Sequence, residues 1–84
     1  MLFSLQIIMI KRKIIMNYRE RLKSLREDND YTQTEIGKLI NKSQQGYNHI
    51  ETGRAELKID DLAILCKFYK VSADYIIGLT NDVK

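Results

Sequence analysis

Side chains suited to polar recognition are concentrated in one short stretch near the middle of the chain. This stretch contains two glutamines, an asparagine and the chain's one histidine, at Gln44, Gln45, Asn48 and His49. A glutamine amide donates and accepts hydrogen bonds at once, so it can bond both N6 and N7 of an adenine. The simpler alternative is that these groups are solvated polar side chains on an exposed face. The stretch therefore indicates either the reading of base edges or an ordinary polar surface.

Enzymatic chemistry finds no support in the residues. His49 has no paired nucleophile and no second metal ligand, and Cys66 is the one cysteine of the chain. The carboxylates form no cluster, and no phosphate-binding loop is present. The sequence therefore predicts a protein that is not an enzyme and that needs no metal, cofactor or small-molecule ligand. Cys66 falls on the apolar face of a predicted helix and is expected to be a core thiol.

Length and charge indicate one small domain with an uneven charge distribution. The 84 residues are 44% apolar and 30% charged and lack proline and tryptophan, which is typical of a compact helical domain. The formal charge of +3 is supplied by Lys11, Arg12 and Lys13, because positive and negative side chains balance over 17–84. Within that balanced part, residues 38–58 carry a net charge of +2. The total charge alone does not argue for a nucleic-acid partner, although the sequence is polarised.

The first sixteen residues differ in composition from the rest. An apolar run precedes the basic residues at 11–13, which reverses the order of a signal peptide, and the run is far shorter than the roughly 20 residues that span a bilayer. We therefore expect a cytoplasmic protein without a membrane segment. Two explanations of this extension remain open. It is either a translated leader, with the natural start at Met16, or an added strand of the β-branched residues between Ile7 and Ile15, which could pair between subunits.

The polar stretch must be positioned by helices, which caps and apolar periodicity predict from residue 17 onward. Capping residues precede the apolar repeats at Asn17, Thr32, Ser43 and Ser72. The first three helices and the last are predicted at about 18–29, 33–40, 44–52 and 73–78. The remaining helix, fourth in chain order, has an apolar face made of Ile59, Leu62, Leu65, Cys66 and Tyr69. No strand is predicted in this part of the chain.

A very short turn separates the second and third predicted helices, as in the supersecondary unit that inserts a helix into the DNA major groove. Asn41 suits this turn because asparagine tolerates the left-handed conformation that ends a helix. Gly37 lies inside the second helix, where glycine costs about 1 kcal/mol relative to alanine. Close approach of the third helix is its expected reason. The apolar residues expected to lock the two helices together are Ile36, Ile40, Tyr47 and Ile50.

Several motifs, in this order and spacing, resemble the Cro/CI-type, or XRE, helix-turn-helix family of bacterial and phage repressors. The similarity covers about Tyr18 to Asn81, and its markers are Arg21-Leu22-Lys23-Ser24-Leu25-Arg26, Tyr31-Thr32-Gln33-Thr34-Glu35-Ile36-Gly37, Ser43-Gln44-Gln45, Ile50-Glu51-Thr52-Gly53-Arg54 and Val71-Ser72-Ala73-Asp74-Tyr75-Ile76-Ile77-Gly78. The resemblance implies an all-α fold. The expected organisation is a five-helix, lambda-repressor-like DNA-binding domain over 17–80, a non-helical or strand-like extension over 1–16 and a tail over 81–84.

Three residues depart from the family pattern in ways that change what is expected of them. Lys42 replaces a common apolar residue, so its side chain is expected to face phosphate instead of the core. Tyr47 replaces a usual valine or isoleucine, and its hydroxyl needs water, a backbone group or a phosphate as partner. Lys70 replaces a usual glycine or asparagine after the fourth helix and is expected to carry modest backbone strain.

The resemblance also implies roles for side chains near the turn. Base contacts are expected from the helix that family members direct at base edges, at Gln44, Gln45, Asn48 and His49. Phosphate contacts are expected around it, at Gln33, Lys42, Ser43, Tyr47, Arg54 and Lys58. The alternative is that these are ordinary surface residues. Arg26 and Glu51 resemble the family's internal ion pair, against the alternative of two independent surface charges.

These expectations combine into a sequence-specific, DNA-binding transcriptional regulator, a repressor that binds a palindromic operator as a homodimer. The final helix has more apolar residues than one buried face requires, so the expected dimer interface is Tyr75, Ile76, Ile77 and Leu79. The chain ends soon after this helix, and we expect no ligand-sensing domain. The alternative is an antitoxin-like or anti-repressor module that binds another protein, such as a toxin, and autoregulates through DNA.

Overall fold

Five helices and the turns between them make up residues 16–83, the part of the chain that the computed structural model describes. They are α1 (Tyr18–Asp28), α2 (Gln33–Leu39), α3 (Gln44–Thr52), α4 (Ile59–Tyr69) and α5 (Ala73–Ile77). These residues contain no strand, which confirms the all-α prediction. The leader or added strand predicted for the N-terminal extension falls on residues 1–15, outside the described residues. No helix in the described part is both long and apolar enough to cross a membrane.

Side-chain caps begin α1, α2, α3 and α5 at the predicted positions. The Thr32 hydroxyl accepts a hydrogen bond from the Glu35 amide at 3.1 Å, and the Glu35 carboxylate accepts one from the Thr32 amide at 2.9 Å. The other three caps accept from the backbone amide three residues ahead, and they are Asn17, Ser43 and Ser72. Because a cap and its partner are so close in the chain, these helix starts are decided locally.

Among residues 16–83, three residues other than glycine adopt the left-handed backbone conformation. Asn41, with φ at 57°, lies in the turn between α2 and α3, as predicted. Lys70, with φ at 59°, ends α4, and a lysine in this conformation carries on the order of 1 kcal/mol of strain. Asp30, with φ at 60°, turns the chain between α1 and α2, and aspartate is among the residues that tolerate this conformation.

The core lies where the five helices meet, and each helix contributes at least one buried side chain. Its members are Leu22, Leu25, Ile36, Ile40, Tyr47, Ile50, Leu65 and Ile76. Cys66 is half-buried and packs against this cluster. Burial raises the pKa of the Cys66 thiol, which favours its neutral form.

α2 and α3 approach each other closely at Gly37. A Cβ at this residue would lie 2.8 Å from the Lys42 carbonyl oxygen and 3.1 Å from the Ser43 carbonyl oxygen. These are backbone atoms of the turn, so they cannot move aside as a flexible side chain could. The predicted close approach at Gly37 is therefore confirmed. The packing of the two helices offsets the cost of a glycine inside α2.

The C-terminal tail is hydrogen-bonded to the domain as far as Val83. The Val83 carbonyl accepts from the Ser72 amide at 2.9 Å, beside the start of α5. Arg21 of α1 donates through Nη2 to the Thr80 carbonyl at 3.4 Å and to Asn81 Oδ1 at 3.3 Å. Residues 81–83, which the sequence sets apart as a tail, are thus attached to both α1 and α5.

Candidate nucleic-acid interface

The start of α3 is presented to solvent by the turn that joins it to α2. The Asn41 amide donates to the Lys38 carbonyl at 3.2 Å, which closes the last turn of α2. Two residues later the Ser43 hydroxyl accepts from the Gly46 amide at 3.0 Å and caps α3. With both ends of the turn bonded, the direction of α3 relative to α2 is defined, and its first residues project from the crossing.

The predicted contact residues differ in their exposure. The exposed ones lie at the start of α3 and in the loop that follows it, and they are Ser43, Gln44, Gln45, Arg54 and Lys58. The half-buried ones lie closer to the α2–α3 crossing, and they are Gln33, Lys42, Asn48 and His49. Within residues 16–83, no group of histidine, cysteine and carboxylate side chains is placed to hold a metal ion.

A chain of amide hydrogen bonds joins the start of α3 to its interior. Gln44 Nε2 donates to Gln33 Oε1 at 2.6 Å. Gln33 Nε2 donates in turn to Asn48 Oδ1 at 3.0 Å and to Glu51 Oε1 at 3.1 Å. Gln44 is therefore oriented by α2 before any ligand arrives. A phosphate contact from the Gln33 amide would have to replace one of these bonds.

Arg26 and Glu51 form a two-point ion pair between α1 and α3. Arg26 Nε lies 2.8 Å from Glu51 Oε2, and Nη2 donates to Oε1 at 3.0 Å. The two side chains are 12% and 2% exposed, so they are not independent surface charges. Burial disfavours the Glu51 carboxylate, but the contacts with Arg26, Tyr47 and Gln33 outweigh it and hold the pKa of Glu51 below its ordinary value. The hydrogen bond to Glu51 raises the pKa of Arg26.

The prediction that Tyr47 contacts phosphate is wrong. Its side chain is fully buried in the core, and burial raises the pKa of its phenol far above the usual value. The hydroxyl is oriented near Glu51 but makes no hydrogen bond of good geometry with any described residue. Tyr47 instead fulfils the other expectation, since it locks α3 against α2. A position usually occupied by valine or isoleucine was the signal for a core role.

The prediction that Ile76 lies in a dimer interface is also wrong for the protomer described. Ile76 is fully buried among the core residues of its own chain. Tyr75 is half-buried, with the guanidinium carbon of Arg21 4.0 Å from the centre of its ring. Ile77 and Leu79 are 38% and 51% exposed, and both remain available to a partner.

Two arginines of α1 contact segments that are distant in sequence, although no local pattern assigns them that role. Arg19 donates to the Ala55 carbonyl at 2.7 Å, in the loop after α3. Arg21 holds Tyr75 and the tail. The partners of both arginines are distant in sequence, and a short motif carries no information about such contacts.

Comparison with known proteins identifies relatives over most of the chain. A helix-turn-helix family model matches residues 22–76. An uncharacterized HTH-type transcriptional regulator of Bacillus subtilis (strain 168), YobD, is 35% identical over 65 residues, which cover 77% of this chain and 58% of the relative. An SPbeta prophage-derived uncharacterized HTH-type transcriptional regulator of the same strain, YonR, is 32% identical over 64 residues, which cover 76% and 59%. The chain thus spans about three fifths of the length of these relatives. No solved structure matches it significantly.

Proposed function

The chain belongs to the Cro/CI-type, or XRE, helix-turn-helix family of DNA-binding regulators, and we propose that it is a repressor that binds a palindromic operator as a homodimer. The observation that carries this proposal is the start of α3. There, two exposed glutamines follow a capped turn, and Gln44 is already oriented by Gln33. A major groove about 12 Å wide admits an α-helix, and glutamine amides match the adenine edge within it.

In this proposal the residues of α3 contact bases, and residues on either side of α3 contact phosphates. Gln44 and Gln45 contact base edges, and Asn48 and His49 contact bases one turn further along. Lys42, Ser43, Arg54 and Lys58 bond the phosphates on either side. The exposure of Gln44 and Gln45 supports the first assignment, and the net charge of +2 over residues 38–58 supports the second.

Dimerisation is supported by apolar side chains near α5 that the described residues leave uncovered. Ile77, Leu79 and Val83 are all substantially exposed. Tyr75, which is half-buried beside Arg21, stays in the proposed interface with them, whereas Ile76 is fully buried in its own chain. Two copies related by a two-fold axis would place their α3 helices in successive major grooves, roughly 34 Å apart.

The base and phosphate assignments are tested with two variants on duplexes selected from random DNA. Gln44→Ala should relax preference at one base pair per half-site and cost about 1–3 kcal/mol on the selected duplex, with little change on scrambled DNA. Lys42→Ala should weaken both duplexes alike and make the salt dependence of log K shallower by about one unit, because a phosphate contact releases counterions whatever the sequence. If Gln44→Ala weakened both duplexes equally while Lys42→Ala changed base preference, the proposed placement of α3 would be wrong.

The dimer is tested by counting protomers on a selected duplex in sedimentation experiments. The wild-type chain should bind as two protomers, and Leu79→Glu should bind as one and with lower affinity, because the charge would be buried against the partner. Leu79→Met keeps an apolar side chain at the same position and should still bind as two. One wild-type protomer per duplex would contradict the homodimer.

Repression is tested by transcription in vitro from a promoter that overlaps a selected duplex. Bound protein should lower the yield of transcript, because it occupies DNA that the polymerase needs. Gln44→Ala should repress less at the same concentration. A higher yield in the presence of the wild-type chain would identify an activator instead.

A further inference from the structure

Arg19, near the start of α1, reaches the loop that follows α3. Its Nη1 donates both to the Ile50 carbonyl, inside α3, and to the Ala55 carbonyl at 2.7 Å, inside the loop. Its Nη2 lies 3.3 Å from Glu56 Oε1. Only 20% of the Arg19 side chain is exposed, so its guanidinium is used within the protein. One side chain therefore spans the junction between the helix and its loop.

The backbone of this junction leaves the Ile50 carbonyl to be bonded by Arg19. In a regular helix the Arg54 amide would donate to the Ile50 carbonyl. Here the amides of Arg54 and Ala55 turn back to the His49 carbonyl, at 2.8 and 3.0 Å. The Ile50 carbonyl receives the Arg19 guanidinium in their place. A cation at the C-terminal end of a helix is also favoured by the helix dipole.

The neighbouring residue, Tyr18, forms hydrogen bonds with the later residues of the same loop. The Tyr18 hydroxyl donates to Glu56 Oε2 at 3.1 Å and accepts from the Leu57 amide at 3.4 Å. The Arg19 guanidinium also lies 4.7 Å from the centre of the Tyr18 ring, which keeps the two side chains together. The loop between Gly53 and Lys58 is thus fixed by α1 rather than by its own contacts alone.

We propose that Arg19 is a positioning residue for DNA binding, which sets the loop so that Arg54 meets a phosphate. This inference rests on the proposed function. Arg54 is exposed and immediately precedes Ala55, whose carbonyl Arg19 holds. Arg19 does not contact DNA itself, because its bonds are made to the loop. Its contribution to affinity therefore passes through Arg54.

A double-mutant cycle on the full chain separates this role from a purely structural one. In the wild-type background, Arg54→Ala should weaken binding to a selected duplex by about 3–10-fold and lower the salt slope by about one unit. Arg19→Met alone should have a similar effect. In the Arg19→Met background, Arg54→Ala should then lower the affinity for the duplex by less than about twofold, because the contact between Arg54 and phosphate is already lost. Lys23→Met removes the same charge from an exposed residue of α1 and should leave the full effect of Arg54→Ala in place.

Circular dichroism at the assay temperature establishes that each variant is folded. If Arg19→Met does not fold, Arg19→Lys enters the same cycle, with the same sign of coupling expected. An equal cost of Arg54→Ala in both backgrounds would overturn the inference, and so would an Arg54→Ala variant that binds like the wild type. In either case DNA binding by the wild-type chain would stand. A wild-type chain that binds no selected duplex at any salt concentration would instead overturn the proposed function.

Discussion

Gln44 at the exposed start of α3 is joined to the buried Glu51 through a single side chain, that of Gln33. Gln33 accepts from Gln44 at 2.6 Å and donates to Glu51 at 3.1 Å. Glu51 is itself held by Arg26 from α1. The residue proposed to read bases is therefore connected through hydrogen bonds to the ion pair that joins α1 to α3. Loss of this ion pair is expected to affect both stability and the orientation of Gln44.

Arg26→Met should lower the free energy of unfolding by about 3–5 kcal/mol, because it leaves the Glu51 carboxylate buried without its main partner. Urea denaturation followed by circular dichroism measures this change. The matched control is Arg26→Met combined with Glu51→Met, which removes both charges and should be less destabilising than the single variant. A single variant within about 1 kcal/mol of the wild type would show that the pair contributes little.

Stability should fall as the pH is lowered below about 5, because the pKa of Glu51 is lower in the folded state than its ordinary value near 4.3. The contribution of its carboxylate is fully present above that ordinary value and is lost as pH falls through the folded pKa. Urea midpoints from pH 7 to pH 3 test this in the wild type and in Glu51→Gln. The difference in urea midpoint between the wild type and Glu51→Gln should become smaller towards low pH. Hydrogen bonds from Thr32 also lower the pKa of Glu35. A difference in urea midpoint that stayed constant with pH would therefore assign the acid sensitivity to a group other than Glu51, such as Glu35.

Gly37→Ala should destabilise the fold by about 1–3 kcal/mol, although alanine is the better helix former. The reason is the 2.8 Å approach of the new Cβ to the Lys42 carbonyl oxygen. Gly46→Ala is the matched control within α3, since its Cβ would meet only side-chain atoms, at 3.3 Å for Ser43 Oγ. It should change stability by less than about 1 kcal/mol in either direction. Equal effects of the two substitutions on urea midpoints would argue against close packing at Gly37.

Tyr47→Phe should leave both DNA affinity and its salt dependence unchanged, because the Tyr47 side chain is fully buried. Its hydroxyl lies near the Glu51 carboxylate without a hydrogen bond of good geometry, so its removal should lower stability by no more than about 1 kcal/mol. Binding titrations at several salt concentrations, with Lys42→Ala as the positive control, measure the effect. If the salt dependence of log K were shallower by about one unit in Tyr47→Phe, Tyr47 would contact a phosphate after all.

Much of the fold could be predicted because it is encoded in neighbouring residues. The capping box of Thr32 and Glu35 involves residues that are three positions apart, and it is present in the structure. The left-handed turn at Asn41 lies at a residue type that adopts this conformation readily. The glycine inside α2 indicates the close approach of α3 from the sequence alone. Within the site, the exposed glutamines at the start of α3 followed from the Ser43 cap.

Sequence by itself thus determined the order of the helices, the capped starts of α1, α2, α3 and α5, the turn between α2 and α3, and the family to which the chain belongs. Only the tertiary structure decided which tyrosine and apolar side chains of those helices are buried in the core. Tyr47 and Ile76 are enclosed by residues from other helices, and Arg19 finds its carbonyl partners more than 30 positions along the chain. Burial and long-range hydrogen bonds depend on how distant segments pack, and local periodicity records only which face is apolar, not how completely another segment covers it.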